Sequence, residues 1–133
     1  LDTQRAQAGL DLTAGRIARV TGPGALDFGG SEFAHADRAV LEPELADPDD
    51  DYGWWELAPG SYLVGCNESL ALEDGRVGLV HPLPRLQQAG ASHPAFVVDG
   101  SADPVETLLT VGEGGCRLKE NCRISRLLVL EAG

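Results

Sequence analysis

The sequence has no methionine and no run of 18 or more apolar residues. Without such a run, we expect no membrane-spanning helix and no membrane partner. The first residues, LDTQRAQAGLDLT, also lack the basic end and apolar core of a signal peptide. We therefore expect a cytoplasmic protein. Because the chain does not start with methionine, we expect further residues before Leu1.

Metal-binding patterns are missing as well. The three cysteines form no C-x-x-C pair and the three histidines are scattered, so no zinc site is predicted. The thiols are expected to be reduced and at least half-buried, as is usual in cytosolic proteins. A disulfide between Cys116 and Cys122 stays open as an alternative, although the expected compartment disfavours it.

Basic residues are few. Ten Lys and Arg stand against 21 Asp and Glu, which gives a formal net charge of −11 and a pI near 4.5. This balance argues against a nucleic-acid partner. Two interpretations fit it: a protein of a high-salt cytoplasm, where salt screens a carboxylate-rich surface, or an ordinary acidic protein. In either case a single carboxylate is weak evidence for catalysis.

What the chain does contain is a series of short β-prone segments between glycine- and proline-rich turns. Its 133 residues are enough for one domain with one core, spanning residues 1–133. Such a series predicts an all-β fold, a distorted β-sandwich or jelly-roll barrel with one short helix. The predicted strands are 10–13, 16–20, 38–41, 54–57, 62–66, 70–72, 77–80, 95–98, 108–111, 116–118 and 124–130.

The predicted helix lies between two of these strands. Residues 85–89 are good helix formers, Pro84 suits the first helical position, and Gly90 suits a left-handed C-terminal residue. The amides at the start of a helix favour an anion. Asp99 ends the following strand, and we expect its carboxylate to reach the same spot. The functional question therefore centres on residues 77–99.

An ordered set of short motifs runs along these elements. It consists of G-x-D-L-T from Gly9, L-x-P-G-x-Y-L-V from Leu57, Asn67-Glu68, G-L-V-x-P from Gly78, Leu86, G-A-S from Gly90, Asp99, and L-x-x-N-x-R-I-x-x-L-L-V from Leu118. In this order and spacing the chain resembles the dUTPase and dCTP deaminase family, most of all its archaeal branch. The resemblance covers nearly all of residues 9–129.

The resemblance implies a homotrimer of distorted β-sandwiches with active sites between subunits. It implies a deoxynucleoside triphosphate substrate, with dUTP favoured, that is cleaved to dUMP and pyrophosphate; other members deaminate dCTP. Mg²⁺ would arrive on the triphosphate. In this family the aspartate at the position of Asp99 orients the attacking water, so Asp99 is the predicted catalytic residue. The predicted substrate-binding residues are Arg85, Gly90, Ser92 and Arg126.

The chain differs from the family pattern at the positions that bind phosphate in the family. Leu83, Pro84 and Arg85 stand where the family has Arg-Ser-Ser. Leu83 removes a cation, and Pro84 has neither an N–H nor a hydroxyl to donate. Arg85 adds a positive charge two places later, which compensates in part. Arg126 occupies the place of a glutamine that contacts phosphate in the deaminases.

Two further family positions differ. The aromatic that stacks on the deoxyribose would lie near Ala102, and the glutamate of the deaminases near Leu109. The acid nearest to that place, Glu106, is predicted to lie outside the strand. Deamination is therefore the least expected activity.

Each predicted site residue also has a structural interpretation. Asp99 beside Gly100 suits a strand end that enters a turn, the arginines suit ion pairs between subunits, and Ser92 suits a loop cap. Two functional hypotheses follow: a dUTP pyrophosphatase of weak or altered activity, or a non-catalytic trimeric paralogue that binds a nucleotide or a protein partner.

Overall fold

In the computed structural model, which describes residues 9–131, the strands curl around one apolar core. Their bounds are β1 Leu10–Gly22, β2 Asp37–Leu41, β3 Trp54–Leu57, β4 Gly60–Cys66, β5 Leu70–Ala71, β6 Arg76–Pro82, α1 Pro84–Gln88, β7 Ala91–Ser92, β8 Phe96–Asp99, β9 Ser101–Ala102, β10 Glu106–Val111, β11 Cys116–Lys119 and β12 Arg123–Glu131. The predicted all-β, jelly-roll-like fold with one short helix is confirmed for these residues.

Eight strands form the main sheet. Its order is β7-β10-β4-β1-β12-β6-β8, with β2 paired to β1, and the neighbours in it run antiparallel. Two small sheets, β3 with β11 and β5 with β9, complete the fold. Because β1, near the start, and β12, near the end, pair with each other, both ends of the described chain belong to one sheet.

Strand β1 passes from one half of the sheet to the other. Its first residues pair with β12 and its later ones with β4, and the register shifts between Ala14 and Arg16. Gly15 occupies this shift, where an added Cβ would lie 2.3 Å from Oδ1 of Asn67. Such a bulge bends a strand and exchanges its inward and outward faces. The sequence predicts two separate strands here because the alternation breaks at the bulge.

The core is built from inward-facing side chains of the curled sheet. Its fully buried members include Leu12, Ile17, Tyr62, Val64, Val80, Leu109 and Ile124. Burial of each large apolar side chain contributes about 1.5–3 kcal/mol to folding. Trp55 also lies in this core, with its Nε1–H donating to the Leu41 carbonyl at 3.1 Å. Its neighbour Trp54 is half-buried on the other face of the strand.

The three cysteines carry free thiols, so the Cys116–Cys122 disulfide is not formed. Cys66 and Cys116 are buried and Cys122 is half-buried, as predicted. Burial, aided by the carboxylate of Glu68, raises the pKa of the Cys66 thiol to about 12. The thiol of Cys66 is therefore protonated and unreactive at neutral pH.

Some boundaries differ from the prediction. Strand β10 begins at Glu106, so the prediction that this acid lies outside the strand was wrong: its Cα pairs with that of Gly65 on β4. Ser92 belongs to β7 rather than to a loop, because Thr110 of β10 pairs with it. Within residues 9–131, no helix has the length and apolarity needed to cross a membrane.

Candidate functional site

Several of the motif residues hold strands together. The Glu68 carboxylate accepts the backbone N–H of Thr13 at 2.8 Å and its hydroxyl at 2.7 Å. The Asn67 amide nitrogen donates to the Thr13 hydroxyl at 2.9 Å and to Oδ1 of Asn121 at 2.8 Å. Asn121 adopts a left-handed conformation, with φ of 66°, in the turn before β12. This network fastens β1, β4 and the β11–β12 turn to one another, which is a structural role.

Helix α1 starts at Pro84 without a side-chain cap and is anchored by Leu86, which is buried. The backbone N–H of Leu83 donates to the Ile124 carbonyl at 2.9 Å, which fixes the helix start beside β12. The next residue after its C-terminal cap, Gly90, has a φ of 104°, as the sequence predicts. Arg85 is exposed on the first turn.

A groove of about 470 Å³ separates α1 from the small sheet of β3 and β11. We call it the α1 groove. Leu83, Leu86 and Leu118 are among the apolar residues that line it. Its basic residues are Arg85, Arg117, Lys119 and Arg123, and no Asp or Glu lines it. The sequence predicts only the first of these four as a site residue.

Arg126 lies in a neighbouring groove, the β1 groove, with Gly9, Asp11 and Arg123. Its Nε donates to Oδ1 of Asp11 at 2.9 Å, so a carboxylate already engages this guanidinium. Arg123 approaches the other oxygen of Asp11 at 3.8 Å. Since Arg123 lines both grooves, the two predicted phosphate-binding arginines, Arg85 and Arg126, lie in adjoining depressions of one surface.

Gly90 and Ser92 lie beyond the end of α1, outside both grooves. The Gly90 carbonyl accepts the backbone N–H of Gly112 at 3.0 Å, and an added Cβ would lie 2.9 Å from the Gly115 carbonyl oxygen. Glycine is therefore required at position 90 by its positive φ and by this close approach. Ser92 is half-buried in β7, beside Thr110.

Asp99 is the exposed last residue of β8, and the following Gly100 has a φ of 87°. Its carboxylate makes no hydrogen bond or ion pair with the part of the chain that the structure describes. Its Cα pairs with Val77 of β6, whereas α1 follows Pro82 at the other end of that strand. Five residues of strand span about 16 Å. Within one subunit, therefore, Asp99 and the start of α1 do not share one spot as the sequence stretch suggests.

Arg126 is also remote from Asp99. Arg126 of β12 pairs with His81 of β6, whereas Asp99 of β8 pairs with Val77, four residues earlier in β6. Strand β6 lies between β12 and β8, so the two residues are also two strands apart. The strand rise and the spacing between strands place the two Cα atoms about 16 Å apart. Within the described residues of one chain, Asp99 and Arg126 therefore lie at two separate places on the sheet.

His93 and Ser125 form a buried hydrogen-bonded pair that the sequence does not reveal. His93 Nδ1 lies 2.8 Å from the Pro94 carbonyl, and Nε2 lies 2.6 Å from the Ser125 hydroxyl. Because a carbonyl only accepts, Nδ1 carries the proton and Nε2 accepts from Ser125. Burial lowers the pKa of His93, the Pro94 carbonyl opposes this, and the charge of His81 lowers it further. Both side chains are too buried to contact a ligand.

Sequence reasoning missed the other basic residues of the α1 groove. Arg117 and Lys119 alternate on β11 and so share its outer face, and Lys119 is the only lysine in the chain. That alternation is a usable signal. The packing of β11 beside α1, which places these cations next to Arg85, comes from long-range contacts that no local pattern shows.

No protein-family model matches the chain. It is 36% identical over 130 residues to a probable deoxyuridine 5′-triphosphate nucleotidohydrolase of Methanosarcina acetivorans, which covers 96% of this chain and 72% of the relative. A protein of the same name from Methanococcoides burtonii is 31% identical over 130 residues, or 96% and 73% of the two chains. Another from Aeropyrum pernix is 30% identical over 128 residues, or 92% and 72%. The chain therefore belongs to the deoxyuridine 5′-triphosphate nucleotidohydrolase (dUTPase) family.

Proposed function

We propose that the protein hydrolyses a deoxynucleoside triphosphate, with dUTP favoured, to the monophosphate and pyrophosphate, with weak or altered activity. The observation that carries the proposal is the near-full-length similarity to archaeal proteins named probable dUTPases. Asp99 supports it, because the acid is kept at an exposed strand end where its carboxylate is free to meet a ligand.

In the proposed reaction the Asp99 carboxylate accepts a hydrogen bond from a water molecule and aims its oxygen at the α-phosphorus. The water oxygen forms a bond to that phosphorus while the bond to the bridging oxygen of the β-phosphate breaks. Pyrophosphate leaves with the electron pair, and the water proton passes to Asp99 and then to solvent. Positioning and charge stabilisation provide most of the catalysis in phosphoryl transfer.

Mg²⁺ belongs to the substrate in this proposal. Among residues 9–131, no group of three or more His, Cys, Asp or Glu converges on one point. The ligands that Mg²⁺ prefers would then be mainly phosphate oxygens and water, as for a metal that arrives on the triphosphate. When bound, the ion neutralises phosphate charge.

The proposed site is shared between subunits of a homotrimer. The separation of about 16 Å between Asp99 and the start of α1 in one chain supports this, because a single subunit cannot close such a gap around one phosphate. Asp99 of one subunit would face Arg85 and Arg126 of its neighbour. Gly90 and Ser92 stay predicted substrate-binding residues and would shape the end of α1 for the same ligand.

The weak activity follows from lost donors. Leu83 is buried and Pro84 has no amide N–H, so neither can bind a phosphate oxygen. Removal of one preorganised donor costs about 2.7–4 kcal/mol of transition-state stabilisation. The place of the stacking aromatic is filled by Ala102, whose backbone pairs with Leu70. Deamination is disfavoured because Leu109, at the place of the deaminase glutamate, is fully buried in the core.

The same losses favour a second candidate, a non-catalytic paralogue that keeps the trimeric scaffold and binds a nucleotide or a protein partner. We also propose that residues 1–133 form one domain, which the pairing of β1 with β12 supports.

A cytoplasmic location is supported by the three free thiols. The net charge of −11 supports adaptation to a high-salt interior, to be tested by whether KCl raises stability.

A pyrophosphate-release assay tests the reaction. It uses dUTP and the other deoxynucleotides with Mg²⁺ in high KCl, on the wild type and on Asp99→Asn. Asp74→Asn is the matched control, since Asp74 is exposed in the turn before β6. We expect slow release from dUTP that only Asp99→Asn abolishes. No release together with nucleotide binding would refute the hydrolase and support the paralogue.

A further inference from the structure

The α1 groove concentrates positive charge on an acidic protein. Four of the ten Lys and Arg residues of the chain line it, although the formal net charge is −11. Its lining contains no carboxylate, so no acidic side chain of its own wall cancels this charge. A groove of about 470 Å³ is within the size range of small-ligand sites. These features together fit a small polyanion.

Two of the cations are held in place by an aromatic ring. The Arg117 guanidinium carbon lies 4.6 Å from the centre of the Trp54 ring, and the Lys119 ammonium lies 5.6 Å from it. Both distances are those of cation–π contacts, which restrict long basic side chains without neutralising them. Strand pairing explains the arrangement, because Lys119 lies opposite Trp54 in the β3–β11 sheet. The Trp54 ring thus favours positions of both cations that line the groove.

The charges of the groove are only partly compensated. Across residues 9–131, no carboxylate lies within ion-pair distance of Arg85 or Lys119. Arg117 pairs with Glu56 at 2.6 Å on the exposed rim, and Arg123 meets Asp11 at the longer distance of 3.8 Å. An exposed pair of this kind contributes little to stability, so an anion of higher charge can displace Glu56.

We propose that the α1 groove binds the linked phosphates of the nucleotide, through Arg85, Arg117, Lys119 and Arg123; this proposal rests on the function proposed above. Charge-assisted hydrogen bonds to phosphate oxygens are among the strongest available to a protein. Leu83 and Pro84 offer no cation or hydroxyl to a phosphate, and the groove would supply positive charge from β11 instead, through Arg117 and Lys119. It favours linked phosphates over a single one because its cations come from α1, β11 and the start of β12.

Binding of inorganic tripolyphosphate, pyrophosphate and orthophosphate to the full chain tests the assignment by calorimetry. We expect affinity to fall in that order. Arg85→Gln and Lys119→Gln should each weaken tripolyphosphate binding about tenfold or more. Arg16→Gln is the matched control, because Arg16 is exposed and lies outside the groove. It should bind as the wild type does.

Glu56→Gln provides a test in the opposite direction. It removes the carboxylate that competes for Arg117, so tripolyphosphate should bind several-fold more tightly. Asp74→Asn removes one negative charge at an exposed turn and should change the affinity less. A cation that served only to stabilise the fold would not produce this gain.

The proposal is overturned if the wild type does not bind tripolyphosphate, or if the groove variants bind as the wild type does. It is also overturned if Arg16→Gln loses as much affinity, or if the groove variants change the subunit number by light scattering. Tripolyphosphate binding without dUTP turnover would refute the hydrolase and leave the groove assignment standing. Turnover with an unchanged KM for dUTP in the groove variants would refute the groove and leave the hydrolase standing.

Discussion

Gly15→Ala should destabilise the protein through a single contact. An added Cβ would lie 2.3 Å from Oδ1 and 2.9 Å from Cγ of Asn67, so the amide must rotate away. Rotation breaks the hydrogen bonds from Asn67 to Thr13 and Asn121. At about 0.5–1.5 kcal/mol each, the two bonds amount to about 1–3 kcal/mol. Asn67→Ala removes the same two bonds and should cost a similar amount.

The double variant gives the sharper result. Once Asn67 is alanine, the methyl group of Ala at position 15 keeps only a tight contact of 3.3 Å with the backbone nitrogen of residue 67, and the two losses are no longer separate. The two substitutions should therefore be non-additive, with the pair costing no more than Asn67→Ala alone.

Urea unfolding at fixed protein and salt concentration, followed by tryptophan fluorescence, measures these values. Trp55 is buried and provides the signal. Gly114→Ala is the matched control, since nothing lies within 4 Å of its added Cβ. Additive losses in the double variant, or a control that costs as much as Gly15→Ala, would refute the role assigned to the Asn67 network.

Three further predictions concern buried groups. Burial lowers the pKa of His93, so below a pH of about 6.5 the unfolded state binds more protons than the native state. The contribution of His93 to the free energy of unfolding should be fully present above that pH and fall as the pH drops. His93→Gln should therefore flatten the pH dependence of urea unfolding in this range. An unchanged slope in the variant would contradict the buried neutral ring. The Cys66 thiol, with its pKa raised to about 12, should resist a thiol reagent at pH 8 in the native protein and react after unfolding. Mass spectrometry of the labelled peptide measures this. Rapid labelling of the native protein would argue against burial of the thiol. Leu109→Ala should cost about 2–5 kcal/mol in urea unfolding, because the side chain is fully buried in β10, whereas a cost below 1 kcal/mol would place it outside the core.

Local patterns were sufficient for most of the strands. Alternation and turn residues locate β3, β4 and β6 to within two residues, since these signals act between close neighbours in the chain. Helix α1 is found for the same reason, from Pro84 and Gly90. The two-residue strands β7 and β9 are not predicted, because each is defined only by its pairing with a distant strand. Strand β7 pairs with Thr110 and Val111, and β9 pairs with Leu70 and Ala71.

The candidate site is harder to predict because it depends on which distant elements become neighbours. The sequence singles out Arg85, but its partners Arg117 and Lys119 come from β11, more than thirty residues along the chain. The strand–helix–strand pattern of residues 77–99 also predicts that the Asp99 carboxylate lies beside the start of α1. The antiparallel pairing of β8 with β6 instead carries Asp99 to the far end of the sheet.

The central proposal is that Asp99 and the cations of the α1 groove belong to one site built from two subunits. Mixing Asp99→Asn subunits with Arg85→Gln subunits, after unfolding and reassembly, tests it by dUTP-dependent pyrophosphate release. In a shared site, random assembly restores both wild-type residues in about a quarter of the sites. The account predicts that, at dUTP concentrations below KM, the mixture is more active than either parent. A mixture no more active than its parents, while a wild-type sample treated in the same way recovers, would contradict it.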